Sequence, residues 1–182
     1  MTRTEWDPEN LPNLSGRSYL VTGATRGLGF FACEQLAGAG AHVLLTGRNP
    51  NKMSAAKAAI KRSTPDASIE TLLLDTSNMG SVRAAAATAR ARGRLDGLLL
   101  NAGIVHPPKE RETAGGHELV FATNVLGHFA LAGELLKPLA AARGRMVWVG
   151  SMSTSLWRHV PTDPELREGY SPWRAYVQSK VA

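Results

Sequence analysis

The sequence has one cysteine, Cys33, among its 182 residues. A single thiol cannot form an internal disulfide bond or supply a cysteine-based structural zinc site. Aromatic residues account for only 6% of the chain, whereas hydrophobic residues account for 43% and charged residues for 20%. Because this balance and this length allow a sizeable core to be buried, the composition excludes a disordered chain.

Long apolar runs and a targeting pattern are also missing. No stretch approaches the roughly 18 uninterrupted apolar residues of a membrane-spanning helix, and even Leu95–Val105 is broken by Asp96 and Asn101. Residues 1–12 do not have the basic-then-apolar order of a signal peptide. We therefore predict a cytoplasmic protein without a transmembrane segment.

The formal net charge is +6, from 21 basic and 15 acidic residues. The basic residues are scattered toward the ends of predicted helices, as Arg90 and Arg143 are, and form no dense block. Arginine near a helix C-terminus is expected because it complements the helix dipole. The distribution argues against nucleic acid and an anionic membrane as partners and favours an anionic small molecule.

Short apolar runs alternate with stretches of helical periodicity. The predicted strands are 18–22, 42–46, 69–74, 95–100 and 146–150, and the predicted helices are 27–39, 50–63, 78–92 and 117–142. Apolar strands separated by helices are typical of parallel strands buried on both faces. The sequence therefore predicts an α/β fold with a doubly wound parallel sheet, Rossmann-like, over residues 16–182, after an N-terminal extension of residues 1–15.

Two features of the second half add detail. In the last predicted helix, apolar residues at steps of three and four predict one buried stripe; they are Phe121, Val125, Phe129, Ala132, Leu136 and Leu139. Residues 153–173 have no periodicity and contain Pro161, Pro164 and Pro172. We expect an irregular loop there, and loops of that length in compact domains are usually functional.

A glycine-rich turn, Thr22–Gly29, joins the first strand to the first helix. A strand, a glycine turn and a helix together present backbone N–H groups and the positive end of a helix dipole to a pyrophosphate. The spacing here is G-x-x-x-G-x-G rather than G-x-G-x-x-G. A tight turn without a ligand is the alternative, but the position after an apolar strand favours a dinucleotide site.

The end of the second strand bears on the choice of dinucleotide. An acidic residue commonly binds the ribose 2′-OH there, but this chain has Gly47 and Arg48. Arg48, with Arg26 from the glycine turn, suits a 2′-phosphate, although Arg48 could also be a solvated loop residue. We predict that NADP(H) is favoured over NAD(H).

The last constellation combines Tyr176 and Lys180 with Ser151 at the end of the fifth strand. Positions i and i+4 share one face of a helix. A cation beside a phenol lowers the phenol pKa from its usual value of about 10, which makes Tyr176 a candidate general acid/base. Ser153 and Ser155 compete with Ser151, which is preferred because it directly follows the strand.

Together these motifs resemble the short-chain dehydrogenase/reductase family, from about residue 16 to the last residue. The matching motifs, in the family's order and approximate spacing, are Thr22–Gly29, Leu100–Gly103, Asn124, Ser151, Tyr176 and Lys180. Residues 124–129 and 170–180 are similar to the retinol-dehydrogenase and WW-domain-oxidoreductase-like branch. The resemblance implies strand order 3-2-1-4-5 and an NADP(H)-dependent oxidoreductase that interconverts an alcohol and a carbonyl.

The resemblance also implies residue roles. Tyr176 would exchange the proton, Lys180 would lower its pKa and hold the nicotinamide ribose, and Ser151 would bind the substrate oxygen. Asn124 would lie at a break in the long helix and support a water relay, and Asp75 would meet the adenine. The implied cofactor-binding residues are Gly23, Thr25, Arg26, Gly27, Leu28, Gly29, Arg48, Asp75, Asn101, Ala102, Gly103, Tyr176 and Lys180. No metal is expected.

The resemblance also bears on the substrate, the assembly and the length of the chain. The substrate would be a small apolar carbonyl compound or alcohol, such as a retinol-, steroid- or lipid-like molecule, and a homo-oligomer is compatible with the family. The alternative to an enzyme is a non-catalytic nucleotide-binding scaffold, although the intact Ser151, Tyr176 and Lys180 favour catalysis. Family members continue beyond Lys180, so we expect the C-terminal part to be missing. His106 and His128 have no evident partner and receive no role.

Overall fold

Five parallel strands form one sheet in the computed structural model, which describes residues 7, 10–105, 112, 113, 115–156 and 162–182. The strands are β1 (Ser18–Val21), β2 (His42–Gly47), β3 (Ser68–Leu73), β4 (Gly97–Leu100) and β5 (Arg145–Trp148). Their order is β3-β2-β1-β4-β5, with every neighbouring pair parallel. The predicted fold class and strand order are confirmed.

The helices are α1 (Gly27–Gly38), α2 (Pro50–Ser63), α3 (Met79–Ala91), α4 (Leu119–Phe121), α5 (Gly127–Ala141) and α6 (Pro172–Val181). Local capping explains several starts. The side chains of Asn49, Asn78 and Ser171 accept backbone N–H groups in the first turns of α2, α3 and α6. Such caps satisfy donors that have no partner within the helix, and proline at the first helical position costs no hydrogen bond.

The core has two layers because successive strand residues face opposite sides of the sheet. Leu20 and Leu44 pack on one side with α3 and α5, whereas Val21 and Leu45 pack on the other side with α1 and α2. Cys33 is fully buried in the second layer, and burial raises the pKa of its thiol to about 12. This thiol is a core side chain.

The predicted buried stripe of the long helix is wrong. Phe129 is 73% exposed and Leu136 is 57% exposed, whereas Leu131 and Leu135 are fully buried; of the predicted set only Leu139 belongs to the core. A π-helical segment, Ala122–Leu126, separates α4 from α5. A π-turn contains one residue more than an α-helical turn. A stripe predicted with a single α-helical period therefore falls on the wrong face of the helix after the π-turn.

The continuous helix Leu119–Ala141 is long and apolar enough to cross a membrane, with a mean hydropathy of 1.5 over its most apolar window. It is the one such candidate in the described part of the chain. A core helix of a globular domain passes the same test, and Leu131, Leu135 and Leu139 pack into the core here. The predicted lack of a transmembrane segment therefore stays a prediction.

The strand β5 forms one edge of the sheet, and its side chains are uncovered. Met146, Val147 and Trp148 are 38%, 53% and 41% exposed. Val147 also lines an apolar groove of about 720 Å³ beside Tyr19 and Leu36 on the α1 side of the sheet. An uncovered edge strand with apolar side chains on both faces promotes association with other chains.

Candidate active site

A cleft of about 360 Å³ opens at the carboxyl ends of the strands, where β1 lies between β2 and β4. Ligands of open α/β sheets bind at this reversal of strand order. The cleft is lined by Gly23, Thr25, Arg26, Gly27, Gly47, Arg48, Leu74, Asp75, Thr76, Asn101, Ala102, Gly103, Ile104 and Thr123. Most of the residues that were predicted to bind the cofactor therefore share one cavity; Leu28, Gly29, Tyr176 and Lys180 do not line it.

The glycines of the turn have different structural roles. Gly23 and Gly27 have φ angles of +64° and +56°, a region that favours glycine. A Cβ atom on Gly23 would also lie 2.8 Å from the Cα of Ala102. Gly29 is needed for packing, because a Cβ there would lie 2.6 Å from Nδ2 of Asn101. Leu28, at 73% exposed, points away from the core.

The N-terminus of α1 faces the cleft without a side-chain cap. Arg26 occupies the N-cap position, and within the described residues its side chain caps nothing, in contrast to the asparagine and serine caps of α2, α3 and α6. The first N–H groups of a helix have no intrahelical acceptor. Here they are left for water or for an anion, as in phosphate-binding turns.

Thr22 ties the floor of the cleft together. Its Oγ1 accepts the N–H groups of Asn101 at 2.8 Å and Ala102 at 2.9 Å. In return, Nδ2 of Asn101 donates to the carbonyl oxygen of Thr22 at 3.0 Å. These bonds join the ends of β1 and β4, so the two segments that line the cleft are held in one fixed arrangement.

The charged residues of the cleft lie at the ends of β1, β2 and β3. Arg26 and Arg48 are both exposed and line the cavity from the glycine turn and the end of β2. Asp75 follows β3, and its Oδ1 accepts the N–H and the hydroxyl of Ser77 at 3.0 and 2.7 Å. The cleft thus combines two cations with a carboxylate that is partly used within its own turn.

Asn124 lies within the π-helical segment and is 1% exposed. Its Oδ1 accepts the N–H of Ile104 at 2.9 Å, and its Nδ2 donates to the carbonyl of Ile104 at 3.1 Å and to Oγ of Ser179 at 2.9 Å. The predicted break in the long helix at Asn124 is therefore a π-turn. The side chain of Asn124 connects the wall of the cleft to α6.

Tyr176 and Lys180 lie on α6, on the same face as predicted, with Nζ of Lys180 6.0 Å from the centre of the Tyr176 ring. The Lys180 ammonium donates to the carbonyl of Val149 at 2.9 Å, and burial lowers the pKa of Lys180. Ser151 follows β5, where its Oγ accepts the hydroxyl and the N–H of Ser153 at 2.8 and 3.2 Å. The end of β5 and α6 are thus joined beside the cleft.

His128 was given no role from the sequence, yet it joins two of the predicted site segments. Its ring is 1% exposed, with Nε2 2.9 Å from Oγ1 of Thr22 and Nδ1 3.2 Å from the carbonyl oxygen of Asn124. Burial lowers the pKa of His128 to about 4, and the charge of Lys180 adds to this effect. Its position one helical turn after Asn124 was the signal that could have identified it.

Gly127 is a second residue that sequence analysis missed. A Cβ atom there would overlap the carbonyl group of Thr76, which lines the cleft. The long helix can therefore approach the segment after β3 only at a glycine. Its place in the run 124–129, between Asn124 and Phe129, was the available signal.

The segment predicted as an irregular loop, 153–173, has defined contacts on both sides of 157–161, which lies outside the described residues. Met152–Leu156 forms a 3₁₀ turn. Further on, the carboxylate of Glu165 contacts Nδ1 of His117 at 2.8 Å and accepts the N–H of Glu118 at 3.2 Å. Leu166 is fully buried against Val120 and α6. The second half of this segment is therefore fastened to the start of the long helix.

The fold and the cleft define an α/β domain of the dinucleotide-binding type. The family model described as "short chain dehydrogenase" matches residues 17–160. Polyprenol dehydrogenase of Mus musculus is 36% identical over an alignment of 186 positions. The alignment covers 99% of this chain and 55% of that protein. The chain spans about half the length of the curated relatives it matches.

Solved structures agree with this assignment. A crystal structure of an uncharacterized protein from Mycobacterium paratuberculosis has a TM-score of 0.79 and 36% identity, and covers 97% of this chain and 62% of that one. A metagenomic short-chain oxidoreductase in complex with NADP has a TM-score of 0.72 and 26% identity, with 93% and 72% covered. The chain belongs to the short-chain dehydrogenase/reductase family, as the resemblance predicted.

Proposed function

We propose that the complete protein is an NADP(H)-dependent oxidoreductase that interconverts an alcohol and a carbonyl. The observation that carries the proposal is the side chain of Asn124, which bonds to Ile104 in the wall of the cleft and to Ser179 beside Lys180 on α6. Because of this connection, the helix with the proton-transfer residues is held next to the cavity that suits a dinucleotide. A dinucleotide bound in the cleft would meet the substrate at this junction.

The roles proposed for the site residues follow from their surroundings. Tyr176 exchanges a proton with the substrate oxygen, and Lys180 lies on the same helix face, with its ammonium 6.0 Å from the centre of the Tyr176 ring. Ser151 accepts two bonds from Ser153, which leaves its own hydroxyl proton for a substrate oxygen. Lys180 holds the nicotinamide ribose, Asn124 supports a water relay behind Lys180, and the cofactor supplies the hydride.

The preference for NADP(H) is supported by charge. Arg26 and Arg48 line the cleft, and Gly47 and Arg48 occupy the end of β2, where an acidic residue would repel a 2′-phosphate. Family members bind NAD(P), and one structural relative is in complex with NADP. Cytoplasmic localisation and homo-oligomer formation remain predictions.

The substrate is proposed to be apolar. Met152 is 91% exposed and Trp173 is 52% exposed, and the Trp173 ring packs against Tyr176 at 5.9 Å between centroids. These side chains offer an apolar surface beside the proposed proton donor. The mouse relative is named a polyprenol dehydrogenase, which fits a retinol-, steroid- or lipid-like substrate and the branch assigned from the sequence.

The cofactor proposal is tested by calorimetry on the complete protein. A charge-assisted hydrogen bond contributes about 1.5–3 kcal/mol, or about ten- to over a hundredfold in affinity. We expect NADPH to bind at least about tenfold tighter than NADH, and Arg48→Ala to remove most of the difference. Lys52→Ala, a change of a nearby exposed cation outside the cleft lining, is the control. Equal affinities for the two dinucleotides would refute the preference.

The catalytic proposal is tested by turnover of apolar alcohols with NADP and of the corresponding carbonyls with NADPH. Tyr176→Phe should lower kcat by about 10² or more while cofactor affinity stays within a few-fold, since general acid–base catalysis is worth about 10²–10⁴. Tyr19→Phe, on β1, is the matched control. A protein that binds NADPH but turns over nothing would instead support the non-catalytic scaffold, and an active Tyr176→Phe would place the proton donor elsewhere.

A further inference from the structure

Two segments of the site meet at one buried imidazole ring. The ring of His128 lies between the end of β1, which supplies Thr22 to the floor of the cleft, and the π-helical segment, which supplies Asn124. Trp148 of β5 packs edge-on against the same ring, with 5.7 Å between centroids. The ring therefore has a defined orientation, with one nitrogen toward each segment.

The partners determine which nitrogen carries the proton. The carbonyl oxygen of Asn124 can only accept, so Nδ1 of His128 is the donor, and Nε2 of the neutral ring accepts from the hydroxyl of Thr22. A contact of Thr22 Oγ1 with the carbonyl of Leu99 is longer, at 3.3 Å, than the 2.9 Å to Nε2. The hydroxyl proton is therefore directed at His128.

This direction matters for the cleft. Oγ1 of Thr22 also accepts the N–H groups of Asn101 and Ala102, and a hydroxyl has one proton and two acceptor sites. Because the Thr22 hydroxyl donates its proton to Nε2, both acceptor sites of Oγ1 are left for the two N–H groups of the cleft floor. At the same time, Nδ1–H fixes the backbone of Asn124, whose side chain holds Ile104 and Ser179.

We propose that His128 is a positioning residue that fixes the cofactor floor through Thr22 and the catalytic side of the site through Asn124. The His128 ring is 1% exposed and is not part of the cleft lining. The proposal rests on the proposed oxidoreductase function. It predicts that substitutions can separate the effect of the Nε2 contact from the effect of the Nδ1 contact. Loss of the Nε2 contact should affect cofactor binding, and loss of the Nδ1 contact should affect turnover.

Two substitutions of His128 separate these contacts in the complete protein. The amide nitrogen of asparagine can take the place of Nδ1, and the amide group of glutamine reaches the place of Nε2. His128→Asn should raise the Kd of NADPH by about tenfold and leave kcat within about threefold. His128→Gln should lower kcat by about tenfold and leave the Kd within about threefold. These magnitudes are those expected for the loss of one buried hydrogen bond. His128→Phe, which keeps a ring without either bond, should show both effects.

The control is His42→Gln, on β2, where the imidazole contacts Ser68 outside the cleft. It should change neither constant. If His128→Asn and His128→Gln each lower kcat and NADPH affinity together, in proportion to their loss in Tm, the role is merely structural and the proposal is overturned. It is also overturned if folded His128→Phe behaves as wild type. A failure of His128→Phe to fold leaves the other two variants to decide.

The result is distinct from a failure of the proposed function. A wild-type protein without turnover on any apolar alcohol or carbonyl refutes the oxidoreductase function but still gives a Kd for NADPH. In that case, tighter binding of NADPH by His128→Gln than by His128→Asn supports the contact with Thr22, and equal Kd values of the two variants overturn it.

Discussion

Acidification should destabilise the protein through His128 before most carboxylates are protonated. Burial lowers the pKa of this imidazole from 6.5 to about 4. Below pH 6.5 His128 is therefore protonated in the unfolded chain but stays neutral in the folded protein. The free energy of unfolding falls as the pH decreases toward the pKa of His128 in the folded protein. From the two pKa values, the loss relative to pH 8 is about 2 kcal/mol at pH 5 and about 3 kcal/mol at pH 4.

The assay is urea unfolding of wild type and of His128→Gln at pH 8, 6, 5 and 4, with ellipticity as the signal. Every other ionisable group is common to the two proteins, so the difference between the two curves isolates the His128 contribution. Glutamine removes the titration but keeps a polar side chain. The wild type should lose about 2 kcal/mol more than the variant between pH 8 and pH 5. Parallel losses in the two proteins would show that His128 is not buried as a neutral ring, and the reasoning would be refuted.

Two further predictions concern packing. Gly127→Ala should destabilise the protein by about 1–3 kcal/mol, because the added methyl group overlaps the Thr76 carbonyl. The control is Gly133→Ala, which has open space at its Cβ and should raise Tm or leave it unchanged. A similar Tm for both variants would contradict the close approach of Gly127 to Thr76. A polypeptide of residues 1–182 expressed by itself should self-associate in light scattering through the exposed β5, and Val147→Lys with Trp148→Lys should reduce that association. A monodisperse wild-type fragment would contradict self-association through β5.

Where the information is local, the sequence was sufficient. The bounds of α2 were predicted as the structure has them, Pro50–Ser63, because Asn49 and Pro50 mark the start by capping and by a fixed φ angle. Strand order followed from the family resemblance, and the cavity gathers residues from the ends of four strands because parallel strands end at one edge.

Where the outcome depends on tertiary contacts, the sequence was insufficient. The buried face of the long helix was assigned incorrectly because the π-turn around Asn124 changes the helical register and because Phe129 and Leu136 give the helix a second apolar face. His128 was passed over since its partners, Thr22 and the Asn124 carbonyl, are a side chain 106 residues away and a backbone atom. The spacing of one helical turn after Asn124 is visible in the sequence, but it reveals neither contact.

The order in which the cleft is assembled has a consequence for synthesis. Every residue that lines the cleft lies between Gly23 and Thr123, ahead of β5, Tyr176 and Lys180. A nascent chain thus carries the whole cavity lining well before Tyr176 and Lys180, the residues proposed for proton transfer, have been made. If the proposed dinucleotide binds this part, it would stabilise it by mass action, and the supply of cofactor would then influence folding during synthesis, ahead of any reaction.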